Sequence, residues 1–426
     1  MASAAPTGLW RDREFVTFWA GQAISRIGAQ VSFLALPLVA TILLRATAFQ
    51  MGLLTAAGAV PALVVGLHAG ALVDRHRRRP VLIAADVGRA LLLGTVPLAW
   101  VLGALSLPLL YLVALVGGAL TLVFDVAYQA FLPALLEREQ LLEGNGKLEL
   151  TRTAAALVGP ALGGWLVGLL GGPLAVAVDA ASYLVSAALV GRLRVRERSL
   201  GPRSPLGRIW HEIGEGVGIV LGDGRLRAVL GTRAVLSLFN AMLEAVVVLY
   251  LVRSLGLGPV LIGVVFSVGS AGFLLGALFA DRVARRLGIG RSTVGGILVL
   301  GCGDLLVPLA HGPAPVAVPT VVAAELLFGL GLTVVNVNQA SVRQALVPGS
   351  AQGRASATVR VVTSAAVPLG ALLGGGLGGV LGLRPTLVVA ALGELLAAGW
   401  VLASPLRALR TLPPLAEEIP DPEPGT

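Results

Sequence analysis

Long apolar runs, broken at intervals by glycine, proline and clusters of arginine, dominate the chain. Stretches such as Val60–Leu67 and Leu109–Val116 carry no charge and do not alternate in polarity, whereas strands of a transmembrane barrel would alternate over about ten positions. Read between these breaks, the pattern predicts helical spans near 15–44, 49–73, 80–104, 108–133, 146–170 and 173–192, then near 228–252, 259–280, 292–311, 317–343, 356–381 and 385–405. Each is long enough for a bilayer core, which needs about 20 apolar residues per helix. The predicted fold is an all-α membrane protein of twelve transmembrane helices in two pseudo-symmetric six-helix bundles. Its expected divisions are residues 1–192, a cytoplasmic linker at 193–224 with an interfacial amphipathic helix from Leu206 to Leu221, residues 225–406, and a disordered cytoplasmic tail at 407–426.

Composition agrees with this pattern. Of 426 residues, 56% are hydrophobic and 13% charged, about half the charge of soluble domains, which excludes a soluble enzyme. The 32 Lys+Arg against 23 Asp+Glu give a net charge of +9, a balance that in a soluble protein would suggest nucleic acid. Position gives the basic residues another meaning. Arg75–Arg79, Arg138, Lys147, Arg192–Arg208, Arg282–Arg291, Arg343 and Arg354 fall on one side of the predicted membrane, and only Arg45, Arg253 and Arg384 on the other. The positive-inside rule then places both termini and the linker in the cytoplasm of a cell membrane, and no nucleic-acid partner is expected. Met1–Arg13 lacks the basic and short apolar regions of a cleaved signal, so the first span is expected to be retained. Cys302 is the single cysteine and has no intramolecular partner.

The chain repeats itself at a shift near 207 residues. Gly70-Ala-Leu-Val-Asp74-Arg75 matches Ala277-Leu-Phe-Ala-Asp281-Arg282, Arg152 with Pro160 matches Arg360 with Pro368, and, at a shift of 215, Gln129-Ala-Phe-Leu-Pro133 matches Gln344-Ala-Leu-Val-Pro348. Repeated halves around a midplane site are the architecture of secondary transporters that work by alternating access.

Gly70 through Arg79 resembles the loop 2–3 signature of the major facilitator superfamily, with Arg77 where the family has a glycine. Gly159-Pro160-Ala161-Leu162-Gly163-Gly164 is similar to the Gly-Pro motif of its drug:proton antiporters. Phe124–Pro133 with Asn145–Arg152 resembles the macrolide-efflux and enterobactin-exporter-like group. The resemblance implies that the first, fourth, seventh and tenth spans line a central cavity, that Asp74 meets the start of the eleventh span, and that protons are the coupling partner.

Two sets of residues are candidates for function. Asp86 with Arg89, Glu149 with Arg152, and Asp125 lie in the cytoplasmic thirds of their spans, where an unpaired charge costs up to about 2.5–3.5 kcal/mol. They form either a permanent salt-bridge cluster or, with Gly70, Asp74, Arg75, Asp281, Arg282 and Arg360, a conformational gate. Deeper in the membrane, Gln22, Arg26 and Gln30 recur on one face of the first span. Arg233, Ser237, Asn240 and Glu244 do so on the seventh, and Glu325, Asn336 and Gln339 on the tenth. A buried carboxyl whose distance to an arginine changes also changes its proton affinity, so Glu244, then Glu325, are the expected proton-coupling acids, with helix glue as the alternative. Asp179, Asp304 and Glu394 are expected to be packing groups. Pro160 and Pro368, with Gly159, Gly163 and Gly164, are expected hinges.

No zinc, serine-nucleophile or phosphate-loop motif occurs in the sequence, so no enzyme activity, cofactor or metal is expected. The sequence predicts a monomeric exporter of amphipathic small molecules, of drug, macrolide or siderophore type, by proton antiport. A uniporter or importer of a small anionic solute and a non-transporting receptor or scaffold are the alternatives.

Overall fold

The computed structural model describes residues 8–66, 76–195 and 208–413. Gly70, Asp74, Arg75 and His68 lie outside the described residues, as does the linker around Arg203.

The helices begin where local chemistry satisfies their free N–H groups. Helix α1 (Arg13–Leu38) starts at Asp12, whose carboxylate accepts from the N–H of Glu14 and Phe15 at 2.8 and 3.2 Å, an N-cap. A reciprocal Thr47–Gln50 capping box opens α2 (Ala48–Val64). There follow α3 (Arg78–Val101), α4 (Leu107–Leu135), α5 (Leu141–Leu170) and α6 (Gly172–Arg192). A linker helix (Arg208–Gly222) precedes α7 (Gly224–Arg253), α8 (Pro259–Leu287), α9 (Ile289–Leu309), α10 (Ala314–Leu346), α11 (Gln352–Val380) and α12 (Leu383–Leu402). Eleven described helices are long and apolar enough to cross a bilayer, α2 being the shorter apolar one. Gly171 and Gly382, which end α5 and α11 at corresponding places in the repeat, take φ of 83° and 89°, a region that disfavours any side chain.

The chain forms two compact units. One comprises Met1–Ser204 and Leu251–Ser267, the other Pro205–Tyr250 and Val268–Thr426. In the first, Phe15, Phe18, Leu82, Phe124 and Phe131 form a buried core, and the Phe18 ring stacks on Tyr128 with centroids 5.7 Å apart. In the second, Val229, Ile297, Leu300, Val335, Ala397 and Val401 do the same. Large apolar side chains such as Leu91, Leu169, Val380 and Leu396 stay exposed, as the lipid-facing surface of a membrane protein requires.

Helices approach closely where a side chain is absent. A methyl at Gly163 of α5 would stand 3.1 Å from the Val31 Cα of α1, and one at Gly374 of α11 would stand 2.8 Å from the Met242 Cα of α7. In the first unit α5 also meets the start of α8. Gly164 abuts Gly263, and the N–H of Ala161, next to Pro160, donates to the Ser267 hydroxyl at 2.7 Å. In the second unit the linker helix packs on α11, where Arg354 pairs with Glu215 and Gly216 lies against the Arg354 backbone. The chain after α12 turns at Pro405–Ala408, and the Leu409 carbonyl accepts from the Gly290 N–H at 2.9 Å.

Candidate functional site

In the first unit the charged residues compensate one another. Asp86 is fully buried on α3 and pairs with Arg89 one turn on. The Arg89 guanidinium lies between two rings, 4.3 Å from the centroid of Phe124 on α4 and 4.1 Å from that of Tyr183 on α6, a cation–π sandwich. Asp125 on α4 lies within electrostatic reach of both Arg89 and Arg26. Arg26 on α1 stands over the Tyr128 ring at 5.4 Å and reaches Glu149 as well. Glu149 and Arg152 pair on an exposed face of α5, with Arg152 Nε 2.9 Å from Glu149 Oε2. Asp86, Arg89, Asp125, Arg26, Glu149 and Arg152 therefore form one alternating series of acid and base.

The remaining residues of the first stripe are placed by packing. Gln22 is buried. Gln30 lies against Gly159, where a β-carbon would overlap its side chain, so the Gly-Pro motif makes room for a polar group of α1. On α6, Asp179 accepts from Ser182 at 3.1 Å beside Gly28.

The second unit contains a partly open cavity of about 220 Å³. Arg233, Ser237 and Asn240 of α7, Asn336 and Gln339 of α10 and Glu394 of α12 supply its polar lining. Arg233 donates to Asn336 Oδ1 at 3.1 Å and has Arg343 nearby. Glu244 is exposed on α7, and Glu325 is half-buried on α10 against Gly269. Asp281 pairs with Arg285 on its own helix, Arg282 bonds the Leu278 carbonyl at 2.9 Å, and Arg360 is exposed on α11. Pro368 is buried within a continuous α11.

Glu394 and Asp304, expected from the sequence to be packing groups, are neighbours, and Glu394 lines the cavity beside Asn240. The physical reason is Gly393: a β-carbon there would occupy the position of the Phe239 ring, so α12 sits directly on α7 and brings its next residue to Asn240. The isolated acids within apolar spans are the signal that could have marked them.

The model of the Major Facilitator Superfamily matches residues 18–342 and 229–424. The chain belongs to the major facilitator superfamily. It is 26% identical over 380 residues to the MFS-type transporter YfiS of Bacillus subtilis, covering 86% of this chain and 87% of that one. It is 29% identical over 369 residues to the multidrug efflux pump Tap of Mycobacterium tuberculosis, covering 81% and 83%. The Tap protein of Mycolicibacterium fortuitum is 27% identical, covering 82% and 86%. Among solved structures, a bacterial homologue of the iron transporter ferroportin superposes with a TM-score of 0.76 at 18% identity, covering 92% of this chain and 98% of that one. The nucleoside transporter NupG does so at 0.71 and 13%, covering 92% and 98%. The major-facilitator fold is thus common to the chain and these structures, and the protein is a multi-span membrane transporter.

Proposed function

We propose that this transporter exports amphipathic small molecules from the cell in exchange for protons, by alternating access, as a monomer in the cell membrane with both termini cytoplasmic. The observation that carries the reading is the relationship to the Tap multidrug efflux pumps over more than four-fifths of the chain. The polar groups kept inside apolar spans support it, because charge within a membrane is retained where it pairs or works. Gln22, Arg26 and Gln30 of α1, Asn240 and Glu244 of α7, and Glu325 and Asn336 of α10 are assigned to substrate and proton. Asp74, Arg75, Asp86, Arg89, Asp125, Glu149, Arg152, Asp281, Arg282 and Arg360 are assigned to the gate.

The test is ethidium transport by purified protein in vesicles under an imposed pH gradient. The wild type is expected to move ethidium against its gradient, Glu244→Gln to lose this drive while remaining folded, and Asp74→Asn to lose transport. Accumulation by the wild type that ignores the pH gradient would overturn proton antiport in favour of a uniporter. Unchanged efflux by Glu244→Gln would remove that residue from the coupling.

A further inference from the structure

The two units treat their membrane carboxyls differently. In the first, Asp86, Asp125 and Glu149 each have an arginine within reach. In the second, Glu244, Asp304, Glu325 and Glu394 stand on α7, α9, α10 and α12, and their electrostatic neighbours are one another. Asp304 and Glu394 lie side by side, and Glu325 is within reach of both Asp304 and Glu244. The charged groups that the surrounding helices present are therefore Glu325 from α10, Glu244 from α7, and the α7–α10 arginines Arg233 and Arg343. Arg233 is held by Asn336.

A second observation lies in the cavity itself. Glu394 is 0% exposed and Gln339 1% exposed. Neither amide atom of Gln339 has a hydrogen-bond partner, and the oxygens of Glu394 make none of good geometry, although Asp304 and Asn240 both lie within hydrogen-bond reach of Glu394. Buried polar atoms without partners are costly and in native proteins have an occupant or a task. Two buried carboxylates held together call for a compensating proton or other positive charge. The occupant is also bounded by size. A cavity of about 220 Å³ lies below the 300–1,000 Å³ typical of drug-sized ligands, yet it has room for several waters or a small cation. The oxygen donors of the cavity, the Glu394 carboxylate with the side-chain carbonyls of Asn240 and Gln339, together with Asp304 beside Glu394, suit a hard cation.

We propose that Asp304 and Glu394, with Asn240 and Gln339, form the site of the monovalent coupling cation, a proton or a sodium ion, and that Glu325 and Glu244 lead from it to the exposed face of α7. Arg233 at the Asn336 end of the cavity excludes a second cation. The assignment rests on the reading that transport is cation-coupled, and it moves the resident cation from Glu244 to a deeper pair.

The experiment uses full-length protein in vesicles with ethidium as probe, driven either by a pH gradient without sodium or by a sodium gradient at equal pH. Ethidium counterflow without any gradient is measured in parallel. One gradient is expected to drive the wild type, and its identity names the cation. Asp304→Asn and Glu394→Gln are each expected to lose gradient-driven accumulation by about ten-fold or more while keeping counterflow within about three-fold, with Glu394→Asp restoring part of the drive. Retention of drive in both variants overturns the pair and leaves coupled transport standing. A wild type driven by neither gradient overturns coupling, and the pair with it. Loss of counterflow in both variants without rescue by Glu394→Asp makes the pair a packing element and overturns the proposal.

Discussion

Arg89 shows how a single residue can join three helices. Its charge answers Asp86 on its own helix, and its two faces are covered by Phe124 of α4 and Tyr183 of α6. Removing one partner of a buried pair leaves the other charge without compensation, at a cost of about 3–5 kcal/mol. Arg89→Gln is therefore expected to lower the thermal midpoint in detergent markedly, and Asp86→Asn combined with Arg89→Gln to recover much of the loss. Arg89→Lys is expected to remain impaired, because a compact ammonium does not fill a planar slot between two rings. A double variant no more stable than Arg89→Gln would show that compensation is not what the pair provides. The pairing was legible in the sequence, since positions three apart share a helix face. The aromatic sandwich was not, since its rings come from residues 124 and 183 on other helices.

Among the helices, two kinds of end and contact matter. Asp223 precedes α7, and its carboxylate accepts from the Arg225 N–H at 2.7 Å and from the Arg225 guanidinium at 2.8 and 3.2 Å. These bonds, the guanidinium foremost, hold the Asp223 carboxyl below its ordinary range. A carboxyl lowered on folding contributes stability that is present above its unfolded value of about 3.9 and is lost as pH falls through the folded value. Asp223→Asn, which keeps an acceptor but loses the charge, is expected to cost up to about 1 kcal/mol at neutral pH, with the difference from wild type shrinking as pH falls below about 3.9 and vanishing below the lowered folded value. A pH-independent difference would contradict this. The glycines of α11 provide a matched comparison. At Gly374 a β-carbon meets the Met242 backbone, whereas at Gly376 it meets nothing within 4 Å. Gly374→Ala is expected to destabilise by about 1–3 kcal/mol and Gly376→Ala to be neutral or to stabilise by about 0.5–1 kcal/mol, read as thermal midpoints. Both glycines read alike in the sequence, as members of one small-residue run. Which of them bears a neighbouring helix depends on the rotation of α11 against α7.

At the scale of the molecule, the division into units does not follow the repeat exactly. Leu251–Ser267, from the second repeat, clusters with the first unit, where Ser267 bonds Ala161 beside Pro160 and Gly263 lies against Gly164. Residues 1–204 expressed alone are therefore expected to aggregate on extraction, and co-expression with residues 205–426 to restore a folded, extractable complex. Size-exclusion profiles in detergent would check this. A well-folded, monodisperse first half would show that α5 does not need the α8 segment.

The sequence by itself determined that the chain crosses a membrane as helices, where most spans begin and end, that its halves are duplicated, and which superfamily it belongs to. Bilayer thickness, helix periodicity and the cost of charge in hydrocarbon act on contiguous residues, and so they leave their mark in the linear order. Tertiary structure alone decided which polar residues meet. Gln22, Arg26 and Gln30 were visible as a stripe, but Arg26 acquires Tyr128, Asp125 and Glu149 only when α1 packs with α4 and α5. Glu394 and Asp304 looked like isolated acids on separate spans, 90 residues apart in sequence. The absence of a side chain at Gly393 seats α12 on α7, and the packing of α9 with α12 makes the two acids neighbours. Their juxtaposition depends on interhelix distance, which no local pattern encodes.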